Sequence, residues 1–276
     1  MTWIVGMLLG LIALLAGVGI TTVGPGGVFV TAALFGLTDL SSAAVAGTAS
    51  ATFVATGLVG GGAYARSGEL TTRASQEAAF ALSGAGIVGA LIGTHLNLQV
   101  GEQLFGYLLG AFLVGVAGLV TYREHTGGAA EGILDESGGS RRGVLTAVGG
   151  GVGVLGGLLG VGGPVVAVPV LVGLGMPMLR AVAVAQVQSV FLALFAAIGY
   201  GAAGAVDFSL ALLVGVPNSL GLSWGGAWPI SSRRIASASP WSSFWWGWGP
   251  PSPSEGLWRG RAGPECCGST SRACAG

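Results

Sequence analysis

The first scarcity in this chain is charge. Asp, Glu, Lys and Arg together make up 8% of the 276 residues, where an ordinary soluble domain carries about a quarter. With 52% hydrophobic residues beside them, so few charges cannot cover a water-facing surface. Lysine is absent, every cation is arginine, and the formal net charge is zero, so the chain has no electrostatic footprint for nucleic acid. Cysteine is nearly absent too. All three cysteines fall at Cys266, Cys267 and Cys274, and an adjacent pair lacks the CxxC spacing of a zinc or redox site. No metal or cofactor is expected. HExxH and GxSG are missing, and Ser83 and His95 are not spaced to share a helix face, which removes the usual hydrolase constellations.

What the chain has in excess is uninterrupted apolar sequence. Charge-free windows run from Trp3 to Thr38, Leu40 to Ala65, Ala78 to Gly101, Gln103 to Tyr122, Gly143 to Leu179 and Ala181 to Val206. Each reaches the roughly 20 residues that carry a helix across a ~30 Å hydrocarbon core. Helices are required because backbone groups in lipid must pair within their own segment or in a closed barrel. The short alternating segments of a barrel do not occur. Met1 to Ile4 holds no basic residue, so the first window reads as a retained helix and not as a signal peptide. The expected fold is all-α, a polytopic transmembrane bundle of about seven to eight membrane segments.

Composition changes after Pro217. Seven of the eight tryptophans lie between Trp224 and Trp258, and Ser, Pro and Arg crowd the remainder. Trp241, Trp245, Trp246 and Trp248 show no helical period, which argues against an interfacial belt. Residues 218–276 therefore read as a frame-shifted or disordered tail where a further hydrophobic helix would be expected.

The chain also repeats itself. A gap-free shift of 136 residues lays GPGG at Gly24 to Gly27 on GVGG at Gly160 to Gly163. It also lays Gly17 on Gly153, Ala49 on Ala185, Tyr64 on Tyr200 and Gly68 on Gly204. Four parts follow: a first transmembrane repeat over 1–122, a hydrophilic cytoplasmic linker over 123–142, a truncated second repeat over 143–217, and the tail. Duplication of this kind is common among secondary transporters.

Each repeat opens with an apolar stretch too long for one crossing. Residues 3–38 would extend ~50 Å as a single helix, and a glycine cluster with a neighbouring proline (Pro25, Pro164) interrupts each copy. Proline removes a backbone donor and glycine weakens helix continuity, so the expectation is a helix, a break and a second short helix in each half. Glycines elsewhere, such as Gly6, Gly10 and those of 84–93, fit close helix packing. The positive-inside rule puts the loops holding Arg66, Arg73, Arg123, Arg141 and Arg142 in the cytoplasm. If each broken stretch crosses once, the N-terminus is inside; if it crosses twice, the halves are inverted and the N-terminus is outside.

The run GVGGPVVAVP from Gly160 to Pro169, the weaker first copy with Ala33 in place of Pro169, and AVAGT at Ala44 to Thr48 resemble the TauE/SafE sulfite exporter family of membrane permeases. The resemblance spans about residues 4–217 and rests on glycines and a proline. It implies transport of sulfite, an organosulfonate or a related small anion across the cell membrane. Its partners would then be the lipid bilayer and that anion, with no nucleic acid and no enzymatic activity. The alternative is a structural or assembly subunit of the membrane that carries nothing.

Independently of that resemblance, two helices broken inside the membrane would turn their N-terminal N–H groups and positive dipole ends toward one another, a setting suited to an oxyanion. Gly24, Gly26, Gly27, Gly160, Gly162 and Gly163 are the expected donors or space-makers. Thr48, Thr52 and Thr56 share a helix face, although Thr hydroxyls also bond the carbonyl one turn back. Under the same shift Ser50 falls on Gln186 and Thr52 on Gln188, and two glutamines in an apolar helix need partners. His95 and Asn97 fit an interfacial position, while Asp39 and Asp207 fit helix N-caps. No acidic residue lies clearly inside an apolar window, which leaves proton coupling without an obvious carrier.

Overall fold

A computed structural model describes residues 3–22, 25–66, 70, 72–126 and 139–235. The chain divides into two compact units, Met1–Ser231 and Ser232–Gly276; the first contains the helical bundle. In chain order the elements are α1 (Trp3–Thr22), a 3-10 turn (Pro25–Gly27), α2 (Val28–Leu37), α3 (Ser42–Arg66), α4 (Arg73–Asn97), α5 (Glu102–Thr126), α6 (Gly139–Leu159), α7 (Pro164–Gly173), α8 (Met178–Ala202) and α9 (Phe208–Ile235). Among the described residues there is no strand. Six helices, α1, α3, α4, α5, α6 and α8, are long and apolar enough to cross a membrane, and they are accompanied by the short apolar helices α2 and α7 and by the apolar part of α9, Phe208–Trp224. The protein is a polytopic helical membrane protein, and its large exposed side chains, Met7, Leu11, Tyr107 and Val114 among them, are those that lipid would solvate.

The repeat is written into the helix boundaries. Helix α2 at 28–37 and α7 at 164–173 differ by 136 residues at both ends, as do α3 at 42–66 and α8 at 178–202. The same shift lays α1 on α6 and α4 on α9, apart from one or two terminal residues. Each half therefore opens with the expected helix, break and short helix.

The halves are inverted. Along the α3–α8 seam Gly47 faces Tyr200, Gly57 faces Val190 and Gly60 faces Gln186, so the two helices run antiparallel. The outer pairs are exchanged between halves: α4 of the first packs on α6 of the second, and α9 of the second on α1 of the first. Both run parallel, with Gly86 against Gly153 and Ala90 against Gly157 in one seam, and Gly6 against Leu213 and Gly10 against Pro217 in the other. A Cβ on Gly149, Gly153 or Gly157 would collide with the α4 backbone. This row at four-residue spacing is the small-residue packing that substitutes for hydrophobic driving force in lipid.

Local chemistry sets the ends of the helices. The Thr72 side chain accepts the Ser75 N–H at the start of α4. Asp207 Oδ1 accepts the N–H groups of Ser209 and Leu210 at the start of α9, the N-cap expected of it. At α3 that role falls to Ser41 and not to Asp39, the Ser41 hydroxyl accepting the Ala44 N–H at 3.3 Å. At the start of α6, Arg142 pairs with Glu77 of α4 at 3.6 Å and Arg141 donates to the Ala74 carbonyl. The pair is exposed and worth little to stability, but it marks the arginine-bearing end of the bundle.

Two boundaries differ from those read in the sequence. The helices α5 and α6 overrun the hydrophilic stretch from both sides, because a helix keeps its own backbone bonds after it leaves the lipid. Helix α9 passes through Pro217, where the composition breaks, and continues to Ile235. The Pro217 ring lies against α1 at Gly10, at a distance a Cβ there would also tolerate, and neighbouring helices can satisfy the backbone groups that an intramembrane proline frees. Beyond it Asn218 and Leu222 are buried. The rest of the expected tail, residues 236–276, lies outside the described residues, as do Gly24 and most of the linker.

Candidate functional site

Both helix breaks lie beside the α3–α8 seam. Gly160 is the residue on which the second break turns: its φ of +61° is left-handed, and a Cβ there would lie 2.5 Å from the Ala46 backbone. Its carbonyl accepts the Thr31 hydroxyl of α2 at 2.7 Å, which ties the second break to the first half. Past the breaks, α2 and α7 begin at Gly27 and Gly163 with no side-chain cap on either N-terminus. At α7 Pro164 has no N–H and the Val165 N–H bonds the Gly162 carbonyl at 3.3 Å, so these uncapped ends offer chiefly the partial positive charge of the helix dipole.

A small cavity of about 10 Å³ opens between them, roughly the space of one water. Gly27 and Gly162 come to it from the two breaks, Phe53 and Thr56 from α3, and Gln186 and Ser189 from α8. None of the described residues that line it is charged. Gln186 is 2% exposed, and its Nε2 has no hydrogen-bond partner among the described residues. Leaving a buried donor unpaired costs about 1–3 kcal/mol, so this amide is a vacant donor beside two helix N-termini.

The other expected site residues separate into groups. Gly26 packs on the backbone of Ala16 and Ile20 in α1, and Gly163 lies against Ser189, so these two make space. Gln188 turns away from the cavity, since residues two apart on a helix point about 200° from one another. Its Nε2 lies 3.4 Å from the Gly149 carbonyl and close to Gly86, between α4 and α6. Thr48 and Thr52 face α9. The Thr48 hydroxyl accepts the Asp207 N–H at 3.1 Å, while Thr52 donates to the carbonyls of Thr48 and Ala211. Thr56 completes the ladder and reaches the cavity: it donates to the Thr52 carbonyl and accepts from Asn218 Nδ2 at 2.9 Å.

Away from the cavity, Asn97 is buried and donates to the Leu158 carbonyl at 2.6 Å, so it holds α6 instead of sitting in the interface. His95 lies beside Gln99 at an exposed helix end. Phe53 and Ser189 at the cavity, and Asn218 behind Thr56, escaped the sequence reading. Phe53 and Ser189 occupy equivalent positions under the 136-residue shift, which is the signal that could have found them. Asn218, which holds Thr56, was hidden by the composition of the segment behind it.

The family description "Sulfite exporter TauE/SafE" matches residues 3–236. That span takes in both breaks, the α3–α8 seam and α9 beyond Pro217. No curated protein and no solved structure matches the chain.

Proposed function

The chain belongs to the sulfite exporter TauE/SafE family, a family of membrane transporters, and on that premise we propose that it carries a small anion, sulfite or an organosulfonate, across the cell membrane through the cavity between its two helix breaks. One observation carries the reading. Two uncapped helix N-termini and the unpartnered Gln186 amide converge on a single buried space. The unpartnered buried side-chain atom among the described residues that line it, Gln186 Nε2, is a donor. Donors held in a dry site bind an oxyanion without a counter-charge, because N–H groups and the helix dipole supply the positive potential.

Gly27, Gly162 and Gln186 touch the anion in this reading. Gly26, Gly160 and Gly163 let the backbones approach closely enough to aim the donors. Thr48, Thr52 and Gln188 act at one remove by holding α9 and the α4–α6 pair in place. Transport, and not catalysis, is the role this arrangement suits, since no nucleophile with a paired base lines the cavity among the described residues.

The arginine-bearing ends of α4, α6 and α8 lie on one side of the bundle, which the positive-inside rule assigns to the cytoplasm. With α1 running parallel to α9, and α8 antiparallel to α3, the N-terminus then lies outside.

The test is flux in vesicles reconstituted with the full chain, using labelled sulfite, sulfate and a short sulfonate. Saturable flux is expected. Gln186→Leu removes one hydrogen bond to a charged ligand, a loss of about 1.5–3 kcal/mol, which weakens apparent affinity about 10- to 150-fold. Flux by Gln186→Leu equal to that of the parent, at equal protein per vesicle, would overturn the assignment.

A further inference from the structure

The two halves meet the cavity with different side chains at one equivalent position. Under the 136-residue shift Gly27 corresponds to Gly163, and Phe53 to Ser189. The structure repeats the contact: a Cβ on Gly27 would lie 3.2 Å from the Phe53 ring, and a Cβ on Gly163 would lie 3.3 Å from Ser189. The backbones are thus related, but one half presents an aromatic ring where the other presents a hydroxymethyl group. The same ring also meets the second break, since a Cβ on Gly162 would lie 3.5 Å from its Cδ1. Phe53 is 3% exposed, and its ring forms one wall of the cavity that Ser189 and Gln186 also line.

We propose that Phe53 sets the size of the substrate, by filling the subsite that inverted duplication would otherwise have placed opposite Ser189. This rests on the anion reading of the cavity. An anionic head group binds at Gln186 and Ser189, and whatever organic part it bears runs into the Phe53 ring. A symmetric ancestor with a small residue at both positions would hold a larger or longer anion. Apolar walls of this kind discriminate by volume, and one methylene in such a pocket is worth roughly 10- to 200-fold.

The experiment uses the full chain in vesicles and a series of linear alkanesulfonates from methane- to butanesulfonate, with sulfite as reference. The readout is the ratio of butanesulfonate flux to sulfite flux, which a change in the amount of folded protein does not move. Phe53→Ser, which makes the two halves alike, raises that ratio about tenfold. Phe53→Leu gives an intermediate rise and supplies the result if Phe53→Ser does not insert. Ser189→Phe lowers the ratio. An unchanged ratio in both Phe53 variants, with Gln186→Leu still defective, overturns the size-setting role and leaves the anion site standing. A parent chain that carries neither sulfite nor any sulfonate overturns both.

Discussion

The two halves share a backbone plan and differ in their chemistry. From the break to the end of the following long helix, 28–66 and 164–202 carry helices with the same boundaries. The side chains on that scaffold have diverged: Phe53 answers Ser189, Thr52 answers Gln188, and the Thr48–Thr52–Thr56 ladder corresponds to Val184, Gln188 and Leu192. The outer seams have slipped as well. The Leu14 carbonyl meets Gly221, whereas its equivalent, the Gly150 carbonyl, meets Gly89. Strict symmetry would have brought residue 225 to Leu14, so α9 sits one helical turn away from the place α4 takes on α6. Duplication thus preserved the geometry that aims the helix ends, and divergence acted on what fills the space between them.

That comparison can be broken at three levels. The largest effect is one of sidedness. Inverted halves put the N-terminus and the hydrophilic linker over 123–142 on opposite faces of the membrane, so an impermeant reagent on intact cells should label a tag at the first and spare a tag at the second. Equal labelling of both would mean that the halves are not inverted in the membrane. Next comes Gly160→Ala, which adds a Cβ at a left-handed position pressed on the Ala46 backbone. The left-handed conformation alone costs a non-glycine residue about 1–2 kcal/mol, and the collision adds to it. A melting temperature in detergent within a degree of the parent's would show that the break does not need this glycine. The smallest effect belongs to the link between α3 and α9. A double-mutant cycle of Thr56→Val and Asn218→Leu should return a coupling of about 0.6 kcal/mol, and no more than about 1.7, as interhelical hydrogen bonds in membranes do. Zero coupling would mean that the Thr56–Asn218 hydrogen bond does not help to hold α9 on α3.

Much of this architecture could be read directly from the residues. Long charge-free windows declare membrane helices, and one numerical shift relates 28–66 to 164–202 before any coordinate is known. The breaks were legible because glycine and proline act on the backbone locally. The site was less so. Gln186 and Gln188 look alike in the sequence, and the angle of about 200° between them separates their faces without saying which one meets the cavity. That depends on α3 crossing α8 with Gly60 at the Gln186 amide, a contact between residues far apart in the chain. Pro217 misled for a related reason. A change of composition after it marks where Trp, Ser and Pro crowd the chain and does not say where a helix ends, and α9 runs on through it, with Pro217 against α1 and Asn218 bonded to Thr56 of α3.

The exchange of outer helices between the halves also governs how the protein is made. Helix α1 enters the membrane first, but the surface formed by Gly10, Leu14 and Gly17 is completed by α9, the last helix described. At 5–20 residues per second of synthesis, α1 waits roughly 10–40 s for its partner. Its glycine-lined flank faces lipid or the insertion machinery during that interval, and α4 likewise waits for α6. Neither half can finish folding before the other has been translated, so a chain stalled after its fifth helix would hold α1, α3 and α4 without their second-half partners.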